Sequence, residues 1–155
     1  MSQINAIYAA LAAVSITLTN GTPIACKSLA QLPESLNTTI LKSRFLFPIG
    51  QNPGEARDGQ FIAIGNVITI NWQIPDLMLY QASEQGRGLK EFAPQLVDYC
   101  GKYADAMRTF GKAPTSHSTI ESFQMIPNEY EWPLGTGNYY AGVLCLLNIK
   151  EVLNG

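Results

Sequence analysis

The chain has 155 residues, enough for one domain with a real core and no need of metal or disulfide staples. Hydrophobic residues make up an ordinary 46%, but charged residues only 14%, against about 25% in an average globular protein. Ten Lys plus Arg and twelve Asp plus Glu are scattered singly for a formal charge of −2, which excludes a basic footprint for nucleic acid or an anionic membrane.

A surface so poor in charge has to be covered by Asn, Gln, Ser, Thr and Tyr, or by other protein. Seven Tyr and two Trp, both favoured at interfaces, tip the reading toward other protein. Cys26, Cys100 and Cys145 are an odd number at wide spacing, neither a metal pattern nor a disulfide framework, and read as reduced, partly buried thiols. No Lys or Arg precedes Lys27, so the apolar run 7–18 is not read as a secretory signal. No uninterrupted apolar stretch reaches the ~18 residues of a membrane-spanning helix.

Taken in order, Ser2 caps a first helix reaching about Val14, with Ile4, Ile7, Tyr8, Leu11 and Val14 on one stripe. Residues 15–19 and 22–29 form a small hairpin about Asn20-Gly21. Residues 31–39 are an irregular polar connection, 44–49 a short apolar strand, and 51–60 a loop rich in Pro and Gly. The stretch 60–80 organises the rest: Ile62, Ile64, Ile68, Ile70, Trp72 and Ile74 alternate with polar Thr69, Asn71 and Gln73, the period of a strand with one wet face. Residues 61–74 at ~3.3 Å each reach over 40 Å, too long for one small core, so part of the strand projects. Pro75-Asp76 bends or bulges it, or places it at an edge.

After a glycine-rich loop, Leu89, Phe92, Leu96, Tyr99, Cys100, Tyr103, Met107 and Phe110 define the second helix. Pro94 belongs in a first turn, so regular helix is expected from about Phe92, ending at Gly111. A polar connection 112–118 leads to a strand 119–126 stopped by Pro127, an aromatic hairpin loop 128–138, and a last strand from Tyr139 to about Leu153, buried on both faces in its middle. The whole reads as one α+β domain over residues 1–155: a mostly antiparallel sheet, two helices on one face and a small N-terminal hairpin.

No catalytic constellation stands out. The single His117 lies in a Ser/Thr-rich loop, and pairing it with Cys100 or Cys26 as base and nucleophile competes with the plainer reading of a solvated loop histidine and core thiols. One His and dispersed Cys supply no zinc site, and Glu129 and Glu131 have no contrasting environments to split their pKa values. Gly86-Arg87-Gly88 and Gly135-Thr136-Gly137 are turns rather than phosphate cradles. Tyr130, Trp132, Tyr139 and Tyr140 lack the basic neighbours of a nucleic-acid stack, and protein contact or core packing is expected of them.

The layout resembles the phage tail-terminator, or tail-completion, family of small α+β proteins. The resemblance is carried by the opening helix, Leu32-Pro33-Glu34-Ser35-Leu36 leading to Arg44-Phe45-Leu46-Phe47-Pro48, Gly59-Gln60-Phe61 entering the long strand, Phe110-Gly111 ending the second helix, and Asn138-Tyr139-Tyr140-Ala141-Gly142-Val143 opening the last strand. It implies a structural virion protein of the tail or neck, assembled in the host cytoplasm. Its subunits would form a sixfold ring on the tail tube beneath the neck or adaptor protein, with passive passage of DNA and no enzymatic activity, cofactor or membrane. Phe61, Trp72, Ile74, Tyr130, Trp132, Tyr139 and Tyr140 are the expected subunit or partner interface, and the loops 51–60 and 128–138 the stacking contacts. A head-to-tail adaptor or stopper is the neighbouring alternative. From a different class, a small α+β enzyme or ligand-binding module would place Trp72, Tyr99 and Tyr103 around a pocket under the helices.

Overall fold

Two long antiparallel strands form the spine of the molecule. In a computed structural model describing residues 3–27, 41–47, 51–52, 55–56, 60–64, 67–110, 117–132 and 135–154, β7 (Val67–Ser83, 17 residues) runs against β9 (Tyr139–Asn154, 16 residues). Their ladder extends from Val67 opposite Asn154 to Ser83 opposite Tyr139, with one irregularity between Leu79 and Gln81. The remaining strands are β1 (Ile16–Thr17), β2 (Pro23–Lys27), β3 (Ser43–Leu46), β4 (Gln51–Asn52), β5 (Glu55–Ala56), β6 (Gln60–Ile64) and β8 (Ser118–Glu131). The helices are α1 (Ile4–Ala12) and α2 (Gly88–Phe110). The main sheet has the order β1-β2-β3-β7-β9-β8, with β6 also on β7, and among the described strands only β2 and β3 pair in parallel. The protein is therefore an α+β fold with a mostly antiparallel sheet.

The period of two along β7 and β9 sends apolar side chains to both faces. Ile74, Met78, Val143, Cys145, Leu147 and Ile149 meet Ile7 and Leu11 of α1 and Leu96, Tyr99, Tyr103 and Met107 of α2 in the main core. Leu77, Leu79, Leu144 and Leu146 form a second cluster on the opposite face with Phe45, Phe47 and Tyr140. β9 is thus the doubly buried central strand its composition predicts. Gly142 in it has no room for a side chain, because a Cβ would press on the Met78 carbonyl oxygen of β7.

Several boundaries differ from expectation. The stretch 61–74 is two strands, not one: Ile64 pairs with Val67, so β6 folds back onto β7 through a two-residue connection. The sequence does mark this reversal: Asn66 interrupts the apolar even positions between Ile64 and Ile68, and Gly65-Asn66 is a two-residue turn signal that the single-strand reading passed over. Residues 51–60 are not wholly a loop, since Gln51–Asn52 pairs with Glu55–Ala56. β8 continues through Pro127 to Glu131, which an outermost strand tolerates because a missing donor on its open side breaks no ladder bond. Accordingly the aromatic connection shrinks to residues 132–138 and is closed by the Trp132 amide donating to the Asn138 carbonyl at 2.9 Å.

α2 begins at Gly88, not Phe92, so Pro94 stands beyond the first turn. Its missing donor leaves the carbonyl of exposed Lys90 without a helical partner, where water reaches it. α1 stops at Ala12 rather than Val14, and Gln3 stands at its N-cap without a side-chain cap bond. Gly21, at φ 88, turns the β1–β2 hairpin as Asn20-Gly21 predicts. Pro75 produces no bulge. Its carbonyl still accepts from the Phe47 amide at 2.9 Å just past the end of β3, and the Phe47 carbonyl, which lacks a Pro75 N–H opposite it, accepts from the Tyr8 hydroxyl at 2.6 Å instead. The Ser2 cap, the connection 31–39, the end of the strand 44–49, the Gly111 cap and the connection 112–116 lie outside the described residues.

Candidate functional site

One end of the spine, beyond the helix-covered core, forms an arm. Val67 to Gln73 extends about 20 Å at ~3.3 Å per residue, with β6 on one side and the end of β9 on the other. β3 has ended by Asp76 and β8 begins at Ser118 opposite Glu151, with the His117 carbonyl still accepting from Val152, so among the described residues the tip consists of β6, β7 and residues 153–154. Thr69 to Gln73, Val152 and Leu153 are half-buried, whereas β7 from Ile74 to Tyr80 is closed off completely. Trp72 marks the root of the arm. Its indole packs on the main core and its Nε1 donates to Glu151 Oε2 at 2.9 Å, while the other oxygen of that carboxylate accepts from the Gln3 amide at the start of α1. A buried carboxyl group therefore joins arm and helix N-terminus, meeting one of the N–H groups that a helix start leaves free.

The expected interface residues fall into three groups. Ile74 and Tyr140, at 0% and 4% exposure, belong to the core of their own chain and are not available to a partner. Tyr130 and Trp132 are half-buried on the second cluster, Trp132 edge-on to Phe47 at 5.8 Å and the Tyr130 hydroxyl donating to the Ile126 carbonyl at 2.5 Å. Trp72 and Tyr139 remain half-exposed. The backbone of Phe61 pairs with Ile70 in the arm.

Opposite the arm side, β8 is the outer edge of the sheet. From Glu121 to Asn128 every residue except Phe123 and Met125 is exposed, Ile126 among them at 39%. Glu129 and Glu131, expected in a solvated loop, stand in β8 with their carboxylates engaged inside the chain. Glu129 accepts from the amides of Gly86 (2.8 Å) and Gly88 at the start of α2, and Glu131 from Gly137 at 3.1 Å. The first of these explains the early start of α2: its free N–H groups are met by a residue distant in sequence.

Chemically, the most concentrated cluster is one that sequence reasoning missed. Arg44 Nη1 donates to Asp76 Oδ2 at 2.7 Å, Arg44 Nη2 to the carbonyls of Leu11 and Val14, and the Tyr103 hydroxyl to the same Asp76 oxygen at 3.0 Å. Both charged side chains are at 0% exposure. Burial drives the Asp76 carboxyl upward, against the pull of Arg44 and the Tyr103 hydroxyl. The same burial lifts the Tyr99 and Tyr103 hydroxyls well above their ordinary range. The cluster is sealed from solvent and acts as an internal tie among α1, β3, β7 and α2. The signal for it was present as two opposite charges, Asp76 inside an apolar run and Arg44 at the head of one.

Neither Tyr99 nor Tyr103 lines the surface groove between α2 and β8 or the one formed by Val14, Ser15, Asp105, Ala106 and Thr109. Burial raises the thiols of Cys26, Cys100 and Cys145, the reverse of what a nucleophile needs, and His117 is an exposed turn residue before β8. Among the described residues no group of three or more His, Cys, Asp or Glu is placed to hold a metal, and no helix is long and apolar enough to cross a membrane. No family model and no curated protein matches the chain.

Proposed function

We propose that the chain is a structural subunit of a phage tail terminus, a tail terminator forming a sixfold ring that caps the tail tube and joins it to the neck. The observation that carries this reading is the three-stranded arm. It is half-buried with polar Thr69, Asn71 and Gln73 among apolar Ile70 and Trp72, and it runs past the core in a chain with only 14% charged residues. An arm of this kind buries its remaining apolar surface against a neighbour, and a head-to-tail contact repeated about an axis closes a ring. Low charge is then a consequence of a surface spent on copies of itself and on the tube. The layout of short motifs along the chain points the same way. Activity here is shape and contact area, without a chemical step.

Native mass spectrometry and electron microscopy of the purified chain, alone and with tail tubes, test the reading. Six-subunit rings, or rings seated on tube ends, are the expected result. A chain that neither forms rings nor engages a tube overturns it.

A further inference from the structure

We propose that β8 is a pairing site for β8 of a second copy of this chain, the two strands running antiparallel about a twofold axis at Gln124. An open strand edge presents a row of unpaired N–H and C=O groups, and proteins guard such edges with charges, prolines and bulges. In β8 the guards stand only at the ends of one window. The ladder with β9 slips between Ile120 and Ser122, so Glu121 is a bulged residue, and Pro127 lacks a donor. Between them Ser122-Phe123-Gln124-Met125-Ile126 is uncharged and keeps an unbroken register with β9, with Ser122, Gln124 and Ile126 exposed and Phe123 and Met125 half-buried. The acidic residues farther along are occupied, Glu129 by the amides of Gly86 and Gly88 and Glu131 by that of Gly137.

The bounds of the window set the register. Centred on Gln124, Ser122 faces Ile126 of the second copy, Phe123 faces Met125, and each bulge meets a proline beyond the ladder. Any other antiparallel register draws a bulge or a proline into the pairing, and centring on Met125 also sets Glu121 against Glu129. At the axis two Gln124 amides face each other and can exchange hydrogen bonds. On the helix face a groove of about 500 Å³ between α2 and β8, floored by Met107, Ile120 and Phe123, opens beside this same edge. Continuing the sheet through the axis brings a second such groove alongside it, so half-buried Phe123 and Met125 gain cover from the second copy. The contact is isologous and closes no ring, so it stands independently of the tail-terminator reading.

Two variants of the full chain test it. In an antiparallel pair, directly opposed Cα atoms lie about 4.5–5.5 Å apart, within the span of a disulfide. Gln124→Cys, made with Cys26→Ser and Cys100→Ser, is therefore expected to form a covalent dimer on mild oxidation, whereas Glu121→Cys in the same background is not. The second variant, Gln124→Lys with Ile126→Lys, changes exposed positions only. It is expected to halve the sedimenting mass of the wild-type dimer with an unchanged circular dichroism spectrum. A monomeric wild type at its highest soluble concentration overturns the proposal. So does a lysine variant of wild-type mass, or a Gln124→Cys protein that links no better than Glu121→Cys. Rings without the Gln124 cross-link would refute this contact and leave the ring reading standing; cross-linked dimers that never form rings would do the converse.

Discussion

Replacing Arg44 by Leu puts the internal tie to the test. The substitution removes the cation 2.7 Å from Asp76, both side chains at 0% exposure, and the donor shared by the buried Leu11 and half-buried Val14 carbonyls. Breaking a buried ion pair from one side costs roughly 3–5 kcal/mol. An orphaned buried acceptor costs about 1–3 kcal/mol more, though the end of α1 recovers part of this by fraying. Against a total stability of about 5–15 kcal/mol for a domain, Arg44→Leu should lose most of its margin. Adding Asp76→Leu removes the stranded carboxylate and should return roughly 2–3 kcal/mol, since apolar pairs of similar volume often match a buried ion pair.

The deficit also has a pH signature. Without Arg44, burial raises the Asp76 pKa farther above the unfolded value of about 3.9, so over that interval the folded state holds a proton the unfolded state has lost. Stability of Arg44→Leu relative to wild type must then fall as pH rises through the interval and be least impaired in acid. Urea denaturation at several pH values, followed by circular dichroism, reads both effects. A single variant within about 1 kcal/mol of wild type at neutral pH, or a double variant no more stable than the single, would refute the tie.

Two further outcomes follow from the packing. Burial lifts Tyr8 to about 12 and holds Tyr99, Tyr103 and Tyr130 above their ordinary range. Their folded pKa values exceed the unfolded one, so this stabilisation is intact below pH ~10 and is lost as pH rises toward the folded values. Tyrosinate absorbance should lag in that interval and then rise together with loss of the circular dichroism signal; independent titration of every tyrosine near pH ~10 with the fold intact would contradict the burial. Gly142→Ala forces β9 and β7 apart at the Met78 carbonyl and should cost about 1–3 kcal/mol, whereas Gly101→Ala, on the exposed face of α2 with open space around it, should gain about 0.5–1 kcal/mol; paired thermal melts decide.

Local chemistry set much of this architecture. Period-two alternation in 67–83 and 139–154, the apolar stripe from Leu96 to Met107 and the Asn20-Gly21 turn each express a rule that acts over a few residues, so they are readable without knowing what lies opposite. The halves of the candidate surface were unequal in this respect. Trp72 was legible as a half-wet strand position, but Ile74 and Tyr140 went into the core because helix and sheet neighbours covered them, which alternation alone does not reveal.

What the tertiary structure decided depends on partners far along the chain. The reversal between β6 and β7 is the exception, since Gly65-Asn66 marks it locally. The start of α2 at Gly88 relies on Glu129, and the passage of β8 through Pro127 on its being outermost. Arg44 and Asp76, 32 residues apart, were each a misplaced charge until the fold set them 2.7 Å from one another. Neutralising a charge or satisfying a free N–H takes a group in contact, and contact between distant residues is settled only when the chain has closed on itself.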